Sequence, residues 1–394
     1  MRPDERVSLV LAVTGTSVGS AERVVWELAT RLPAERFDVR VWLSASPGVD
    51  ELAESLAEHC PVDRVAEVGS RWDWRGMLGA WSRLRRQRPA LLHLHHPRPT
   101  SDPHLVRLAQ AAGVPHLVIT EHSSARPDAE ARALKRRELR EADAVTAVCA
   151  SAADALVRDY GVDRALVRIV PHGADPPDEA HERATARRVR DDLGVGQFRP
   201  LWVCAARFEE HKGHAVLIEA LRLLKERGLD FITVLAGEGS TRPDIERRVA
   251  AAGLDDRVRF AGRVDVLGPV LLAADACVVP SIADELPITL LDALARARPV
   301  VASQVGGIPE VIDDGVTGRL VPPGDPTALA AVLQEFHTKR DAAWHLGTAG
   351  AERVRAEFTW PRVVEAFEAV YDDVLGLASF EPAGGPGSGM GARR

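Results

Sequence analysis

Cysteine pairs, membrane-length apolar runs and a cleavable leader are all missing from this sequence. The four cysteines are scattered, which argues against a zinc ribbon or a disulfide framework and indicates a reducing compartment; they are Cys60, Cys149, Cys204 and Cys277. No apolar run approaches the roughly 20 residues that a membrane helix needs. The N-terminal segment MRPDERVSLVLAV lacks the small-residue cleavage site of a signal peptide. We therefore predict a cytoplasmic protein.

The sequence also lacks an excess of positive charge. It has 50 Lys and Arg against 57 Asp and Glu, a formal net charge of −7. This negative charge argues against nucleic-acid binding, and we predict no nucleic-acid partner. Hydrophobic residues make up 46 % of the chain and charged residues 27 %, the profile of a globular protein. Its 394 residues are enough for two or three domains, each with its own core.

Short β-branched runs alternate along the chain with amphipathic helical segments such as 21–32, 101–112 and 128–141. This alternation predicts parallel sheets with helices on both faces. Before residue 170 the predicted strands are VSLVLAV, DVRVWL, ALLHLH, PHLVIT, DAVTAV and ALVRIV. A segment rich in Pro and Asp at 170–180 predicts a linker. After it the predicted strands are RPLWVCAA, DFITVLAG, DRVRFAG, ACVVP and RPVVAS.

The fold class predicted from this pattern is α/β, with two tandem Rossmann-like, doubly wound domains facing a cleft. The expected N-terminal domain spans 1–173 and the expected C-terminal domain spans 174–360. A final helix at 361–377 is expected to pack back on the N-terminal domain, and a Gly- and Pro-rich tail at 378–394 is expected to be disordered. Because open α/β sheets bind ligands beyond the carboxyl ends of their strands, the site is expected in the cleft.

The segment DELPITLLD, residues 284–292, follows the predicted strand ACVVP. It places Asp284 in the loop, Pro287 at the first position of a helix, and Asp292 about one and a half turns into that helix. The two carboxylates could hold two parts of one extended ligand, together with the free N–H groups near Leu286 and Ile288. The alternative is a helix-start acid and a solvated polar residue.

Two further segments follow predicted strands. In CAARFEEHKGHAVLIEAL, Arg207 and Lys212 lie in a strand-to-helix turn, where two cations suit a pyrophosphate; the alternative is a pair of surface cations. In TGTSVGSAERVVWELA, Gly15 and Gly19 permit a tight turn that presents bare backbone N–H groups. Neither segment has the spacing of a P-loop or of a dinucleotide-binding turn.

Histidines gather at two predicted strand ends: His93, His95 and His96 in LLHLHHP, and His122 in VITEHSS. They could suggest a metal site, but no carboxylate or cysteine cluster accompanies them in sequence, and we predict no metal. His122 is expected to face the cleft; the alternative is a structural histidine. The paired glycines 306–307 are either loop punctuation or a backbone contact close to a ligand.

Taken together, these segments resemble the retaining glycosyltransferases of the GT-B fold, family 4 (glycosyl transferases group 1), over roughly residues 6 to 376. AARFEEHKG resembles the G-R-L-x-x-x-K-G segment of that family, LAGEGS its G-x-G turn, and VRFAGRV its V-x-F-x-G-x-V. ADACVVPSIADELPITLLDALARARPVVASQVGGIPEVI follows the family's signature almost residue by residue. The order and spacing of these motifs make the resemblance specific.

The resemblance implies a nucleotide-diphosphate sugar as donor, an acceptor hydroxyl or amine, retention of configuration, and neither a cofactor nor a metal. It implies that Arg207 and Lys212 hold the pyrophosphate, that Asp292 binds the ribose, and that Asp284 and His122 lie at the sugar. The implied catalytic residues are His122, Arg207, Lys212 and Asp284. The implied donor-binding residues are Gly19, Arg207, Lys212, Gly237, Arg263, Val264, Asp284, Glu285, Leu286, Pro287, Ile288 and Asp292. The implied acceptor-side residues are Ser20, Arg23, His95 and His96.

The sequence departs from the family pattern in four places. E-x7-E becomes D-x7-D, so each carboxylate reaches about 1.5 Å less far. Glu285 stands where glycine is usual and could take over for Asp284. His172 replaces the asparagine of I-P-N-G, and V-G-S-A-E-R replaces G-G-A-E-R.

Other functions remain open at this point. A glycoside phosphorylase or a nucleotide-sugar epimerase would share the fold, and a non-catalytic nucleotide-sugar binder would suit the shortened acids. The basic segments 83–88 and 126–140, with Trp72, Trp74 and Trp81 nearby, suggest peripheral contact with the inner membrane face; the alternative is a solvated helix face. The sequence identifies neither the acceptor nor the base of the donor nucleotide, for which UDP and GDP are favoured. The chain is expected to be a monomer or a homodimer.

Overall fold

The computed structural model describes residues 6–66, 73–98, 103–123, 128–196 and 199–377. Within these ranges the strands form two all-parallel sheets. The N-terminal sheet contains β1 (Val7–Val13), β2 (Phe37–Ser44), β3 (Val62–Val65), β4 (Leu91–His96), β5 (His116–Glu121), β6 (Ala144–Ala147) and β7 (Val167–Ile169). The C-terminal sheet contains β8 (Leu201–Ala205), β9 (Ile232–Ala236), β10 (Val258–Gly262), β11 (Ala276–Val279), β12 (Val300–Ser303) and β13 (Arg319–Val321).

Helices connect these strands and cover both faces of each sheet. The N-terminal sheet carries α1 (Ser20–Arg31), α2 (Asp50–Ala57), α3 (Trp74–Gln87), α4 (Pro103–Ala112), α5 (Ala129–Leu139) and α6 (Ala150–Tyr160). After it come α7 (Glu179–Asp192), α8 (His214–Glu226), α9 (Arg242–Ala251), α10 (Leu267–Ala273), α11 (Ile288–Ala295), α12 (Ile308–Val311), α13 (Pro326–Thr338), α14 (Arg340–Glu357) and α15 (Trp360–Leu375). The predicted α/β class with two Rossmann-like domains is confirmed.

The strand orders are β3-β2-β1-β4-β5-β6-β7 and β10-β9-β8-β11-β12-β13. In each sheet the chain first moves outward from one strand, β1 or β8, and then returns to that strand's other side. The order therefore reverses between β1 and β4 and between β8 and β11. Loops that leave such a pair of strands diverge and leave a crevice, which is where ligands of these sheets bind.

Side chains of β1 alternate between two buried faces. Leu9 and Leu11 pack with α1 and α15, whereas Val10 and Ala12 pack in the core that includes α3 and α4. A strand buried on both faces needs a continuous apolar run, and VSLVLAV provides one. The sequence analysis did not predict β3 or β13. Strand β3 has four residues, two of them charged, and β13 has three residues, one of them charged. Such short strands give little periodicity to detect.

The chain crosses between the sheets twice, at residues 170–178 and again at 358–360. The two crossings touch, since Ala174 N–H donates to Phe358 O at 2.9 Å. Gly173 permits this contact, because a Cβ there would lie 2.8 Å from the backbone N of Trp360. After the second crossing, α15 packs on the N-terminal sheet and places the Tyr371 hydroxyl 2.7 Å from His93 Nδ1. The expected tail at 378–394 lies outside the described residues.

A buried cluster of four ionisable side chains fixes α5 to the ends of β4 and β5. Lys135 donates to Glu121, and Glu121 Oε1 lies 2.8 Å from His96 Nδ1. Glu138 Oε1 lies 3.4 Å from His96 Nε2. Burial alone would lower the pKa of His96, but Glu138 and Glu121 outweigh it and raise that pKa. Two carboxylates therefore face two groups that can be cationic.

This cluster bears on the basic segment 126–140, because Lys135 is only 1 % exposed and points inward. On the same helix Arg136 and Arg137 are exposed. On α3, Trp74 is 63 % exposed and Leu78 is 54 % exposed. Trp72 lies outside the described residues. Peripheral membrane contact stays a prediction; within the described ranges, no helix combines the length and the apolarity needed to cross a membrane.

We expect Lys135→Met to destabilise the protein by about 3–5 kcal/mol, because Glu121 would be left buried without its ammonium partner. Arg137→Met, two residues away on the exposed side of the same helix, is the matched control and should change stability by less than about 0.5 kcal/mol. Urea denaturation followed by circular dichroism measures both. Equal midpoints for the two variants would show that the cluster contributes nothing to stability.

Candidate active site

The loops at the two strand-order reversals face each other across the cleft. From the N-terminal sheet come the turn after β1, at residues 14–19, and the ends of β4 and β5. From the C-terminal sheet come the turns after β8, at 206–213, and after β11, at 280–287. Every sequence-predicted site residue except Arg23, Gly237, Arg263, Val264 and Asp292 lies in or beside these five places.

Lys212 and Asp284, predicted separately from two motifs, are in direct contact. Lys212 Nζ donates to Asp284 Oδ2 at 2.7 Å, and their side chains are 15 % and 9 % exposed. Ser281 Oγ donates to the same oxygen at 3.0 Å. The backbone N–H of Glu285 donates to Asp284 Oδ1 at 3.2 Å. The carboxylate is thus held in one orientation with its cation beside it.

Glycines make this approach of loops possible. Gly213 has φ +72°, and a Cβ there would lie 1.9 Å from Pro280 O. Gly306 has φ +53°, and a Cβ there would lie 1.9 Å from Asp284 O. Gly307 N–H donates to Glu285 O at 2.6 Å. The glycines 306–307 therefore contact the backbone of the Asp284 loop, and a backbone contact close to a ligand stays a prediction.

Arg207 lies on the same loop as Lys212 but is far more exposed. Its side chain is 53 % exposed and pairs with Glu209. Gly237 packs below this loop, since a Cβ there would lie 2.1 Å from Ala206 O. Arg263 reaches the N-terminal domain, where its Nη2 lies 3.1 Å from Glu51 Oε2. Val264, next to it, is half-buried.

Helix α11 begins at Ile288, and Pro287 is its N-cap rather than its first helical residue as predicted. Pro287 has an extended backbone (φ −64°, ψ 125°), and its carbonyl accepts a hydrogen bond from the Leu290 N–H. Proline has no N–H, so the backbone donors of this segment come from its neighbours. Leu286 is buried under the loop, and its carbonyl points to the other domain, as shown below.

Asp292 lies about one turn into α11, with its side chain 29 % exposed toward the cleft. Arg296, one turn later, donates to the Asp292 carbonyl at 2.9 Å and lies 3.7 Å from Oδ1. Removal from water raises the pKa of Asp292 to about 6, although Arg296 and Arg23 act to lower it. The ion pair with Arg296 is long, and no hydrogen bond to the carboxylate oxygens is seen among the described residues, so the carboxylate can accept donors from a ligand.

The turn after β1 is organised by Glu22, which sequence reasoning did not single out. Gly19 N–H donates to Glu22 Oε2 at 2.9 Å, so this N–H is occupied in the present state. Glu22 is 1 % exposed, and burial raises its pKa. Ser20 starts α1, and Arg23 pairs with Glu27 at 2.6 Å. The sequence G-S-A-E-R could have predicted this role of Glu22, because a glutamate three residues after an N-cap is typical of a capping box.

Three histidines form a row from the N-terminal sheet to the C-terminal domain. His95 Nδ1 lies 3.1 Å from His122 Nε2. His122 Nδ1 lies 3.4 Å from His172 Nε2, and these two rings are stacked 5.6 Å apart. His172 Nδ1 lies 2.6 Å from Leu286 O in the C-terminal domain. Two of these residues were predicted site residues, and His172 stood out only as a replacement for asparagine.

The direction of every bond in this row follows from its last member. A carbonyl only accepts, so Leu286 O requires a proton on His172 Nδ1. Burial lowers the pKa of all three histidines, that of His172 to about 4, so each ring is neutral at pH 7. His172 Nε2 is then an acceptor, which requires a proton on His122 Nδ1, and by the same step on His95 Nδ1. His95 Nε2 ends the row unprotonated and without a partner among the described residues.

The histidines predicted for the cleft are more buried than the sequence implied. His95 and His96 are 1 % and 3 % exposed, so neither side chain presents itself to an acceptor in this state. His96 belongs to the buried cluster at α5. His122 is 6 % exposed, and both of its ring nitrogens have partners in the row. Contact between His122 and a ligand needs one of these bonds to open.

Known protein families match both domains of this chain. The family model for Glycosyltransferase Family 4 matches residues 21–177, and that for Glycosyl transferases group 1 matches residues 199–339. The D-inositol 3-phosphate glycosyltransferase of Streptomyces scabiei is 30 % identical over 91 % of this chain and 87 % of its own length. The alpha-D-kanosaminyltransferase of Streptomyces kanamyceticus is 27 % identical over 76 % of this chain and 84 % of its own.

The chain belongs to the family 4, group 1 glycosyltransferases. The likeness extends to solved structures, which show the GT-B fold. Anabaena Alr3699/HepE, solved in complex with UDP and glucose, aligns with a TM-score of 0.81 and 18 % identity over 93 % of this chain and 100 % of its own. Sucrose-phosphate synthase from Thermosynechococcus elongatus aligns with a TM-score of 0.76 and 23 % identity over 95 % and 100 %.

For this glycosyltransferase we expect long-range ¹H–¹⁵N correlation spectra at pH 7 to show His95, His122 and His172 as neutral Nδ1–H tautomers. The usual preference of free histidine is the other tautomer, so the signature is distinctive. His172→Gln should release His122 from its imposed tautomer and change its ¹⁵N shifts, whereas His345→Gln, on the surface of α14, should not. An Nε2–H tautomer at His172 would contradict the bond to Leu286 O.

Proposed function

We propose that this glycosyltransferase moves a sugar from a nucleotide-diphosphate donor to an acceptor hydroxyl or amine, with retention at the anomeric carbon. The observation that carries the proposal is the Lys212–Asp284 pair at the strand-order reversal of the C-terminal sheet. UDP is the favoured nucleotide because HepE binds UDP in the same fold. No cofactor and no metal has a place in the proposal.

Lys212 and Arg207 are the groups proposed to stabilise the departing diphosphate. The Lys212 ammonium has three N–H donors, and Asp284 occupies one of them. The ammonium can therefore bind a phosphate oxygen without leaving the carboxylate. Arg207 is exposed and, among the described residues, pairs only with Glu209 on its own loop, a contact that a phosphate can replace at low cost. Two fixed cations supply the charge stabilisation that a metal ion gives elsewhere.

The two aspartates are proposed to bind the donor at its two ends. Asp292, poorly solvated and half-buried, suits the ribose hydroxyls. Asp284 suits the sugar hydroxyls, since its Oδ1 accepts one bond among the described residues, from the Glu285 N–H, and retains acceptor capacity. The N–H groups of Leu286 and Ile288 flank the same position.

The proposed transfer proceeds on one face of the sugar. The bond from the anomeric carbon to the phosphate oxygen breaks, the bond to the acceptor oxygen forms, and the acceptor proton passes to the departing phosphate oxygen. Asp284 is a poor candidate for a nucleophile because Lys212 and Ser281 already hold its carboxylate. Neutral His122 is placed to orient a sugar hydroxyl once the histidine row opens.

The acceptor is proposed to be a cyclitol. One relative is named a D-inositol 3-phosphate glycosyltransferase and another a 2-deoxystreptamine glucosyltransferase, and both names specify a polyhydroxylated ring. On the N-terminal side, Ser20 and Arg23 border the cleft, and Arg98 donates to Thr16 Oγ1 at 2.7 Å. These groups suit hydroxyl or phosphate substituents.

We expect Lys212→Ala to lower kcat/KM for transfer by about 10²–10³-fold, and Arg207→Ala to lower it in the same direction, because charge developing on the diphosphate loses a fixed cation. Arg247→Ala is the control, since Arg247 is a 77 % exposed cation on α9. The measurement is release of nucleoside diphosphate with inositol 3-phosphate or 2-deoxystreptamine as acceptor. Unchanged rates in the Lys212 variant would remove the basis of the proposal.

The same assay separates the alternative functions. Release of a sugar phosphate that depends on added phosphate identifies a phosphorylase. Conversion of the donor without an acceptor identifies an epimerase. Saturable donor binding, without turnover against any acceptor, identifies a non-catalytic binder. Inversion at the anomeric carbon of the product, seen by proton NMR, would contradict retention.

Donor affinity should decrease as the pH is lowered from 7 to 5, because Asp292 becomes protonated over that range. Its pKa of about 6 means that the carboxylate is about nine-tenths ionised at pH 7 and about one-tenth at pH 5. Only the ionised form accepts two ribose hydroxyls, so the Kd of UDP-glucose should rise about tenfold over that range. Asp292→Asn should bind weakly and without this slope, and the exposed control Asp256→Asn should keep it. Calorimetric titration at both pH values decides the point.

A further inference from the structure

A second cationic site lies on the C-terminal domain, in a pocket of about 560 Å³ between α7, α10, the end of α11 and α14. Its lining contains none of the proposed donor residues. Six arginines line it: Arg183, Arg187, Arg190, Arg296, Arg298 and Arg355. The lining contains one acid, Asp275. Such an imbalance in a concave site needs an explanation.

Arg190 and Arg296 pair with carboxylates and hold the wall together. Arg190 lies 3.2 Å from Asp275 Oδ2 and also donates to the Ala273 carbonyl at 2.8 Å. Arg296 donates to both oxygens of Glu182, at 2.7 and 2.8 Å. These pairs occupy the lining acid, Asp275, and the adjacent Glu182. Arg187, Arg298 and Arg355 form no carboxylate ion pair among the described residues.

Arg298 is the most telling of them, because it is only 9 % exposed. Its Nη1 donates to the carbonyls of Leu272 at 3.2 Å and Ala274 at 3.3 Å, and it forms no carboxylate ion pair among the described residues. Burial lowers its pKa, and the nearby Asp275 only partly offsets this effect. Keeping such a cation buried is costly unless an anion joins it.

At the rim, Arg187 and Arg355 are exposed, and neither forms an ion pair with any residue in the described ranges. Between rim and floor stands Trp344. The Arg298 guanidinium carbon lies 4.2 Å from the centre of its ring, yet the residue is 47 % exposed. The pocket therefore combines free guanidinium groups with an open aromatic surface.

We propose that this pocket binds a phosphomonoester dianion carried by a small molecule. Guanidinium groups bind phosphate oxygens in pairs, and a dianion matches more than one of them. The volume suits a small ligand. The exposed part of Trp344 lies where a planar ring attached to the phosphate would stack. A nucleoside monophosphate therefore fits better than a sugar phosphate or free phosphate, and all three share the anion that the arginines recognise.

The test is calorimetric titration of the full chain carrying Lys212→Ala, which weakens nucleotide binding in the cleft and leaves the pocket intact. The probes are AMP, glucose 6-phosphate and inorganic phosphate. We expect saturable binding of at least AMP, weakened tenfold or more by Arg187→Gln with Arg355→Gln. The charge-matched control is Arg247→Gln with Arg248→Gln on α9, where both side chains are more than half exposed.

The three probes and a Trp344 variant distinguish the possible ligands. Tighter binding of AMP that Trp344→Leu abolishes supports a nucleotide, whereas equal binding of all three probes supports the phosphate group alone. Absence of saturable binding for every probe, or equal weakening by the control pair, overturns the proposal. The result is independent of the proposed transfer reaction, because glycosyl transfer by the Arg187→Gln, Arg355→Gln protein should stay at the wild-type rate.

Discussion

The reversal of strand order beside β1 and β8 is the constraint on which the site depends. A chain that winds outward and then returns past its first strand leaves adjacent parallel strands whose loops lead to opposite faces. Nothing can fill the crevice between those loops from within the same domain. Two such sheets, joined by touching crossings at residues 170–178 and 358–360, place their crevices opposite each other. The cleft is therefore a consequence of topology, and the side chains only determine what it binds.

Within that crevice the loops must approach more closely than ordinary residues allow. Gly213 and Gly306 adopt positive φ, and each lies where a Cβ would meet a carbonyl at 1.9 Å. The close packing brings Lys212 against Asp284 and holds the Leu286 carbonyl toward the N-terminal domain. Positive φ and lack of space together exclude other residues at these positions. The glycines thus act on the proposed chemistry through backbone packing.

Much of this arrangement could be predicted from the sequence, and the exceptions share a physical cause. Apolar runs such as VSLVLAV predicted the long central strands, because burial on both faces leaves a signal in every residue. The edge strands β3 and β13 were missed since three or four residues carry too little pattern. Lys212 and Asp284 were each predicted, but their contact joins residues 72 positions apart, which local spacing cannot reveal. The role of His172 was missed for the same reason, because its partners are set by tertiary packing. The Glu22 bond to Gly19 is different, since it spans three residues and the local capping-box pattern would have predicted it.

His172 shows how one replacement can reorganise a site. An asparagine side chain at this position could donate to the Leu286 carbonyl, but its remaining groups form a different hydrogen-bond pattern from an imidazole. A neutral imidazole that donates at Nδ1 must accept at Nε2. The Leu286 carbonyl of one domain therefore fixes the tautomer of His172 and, through it, the tautomers of His122 and His95 in the other domain. The row is neutral, so its bonds are modest in strength and can exchange. Both ring nitrogens of His122 are bonded within this row, so His122 can contact a ligand only when one of the bonds opens.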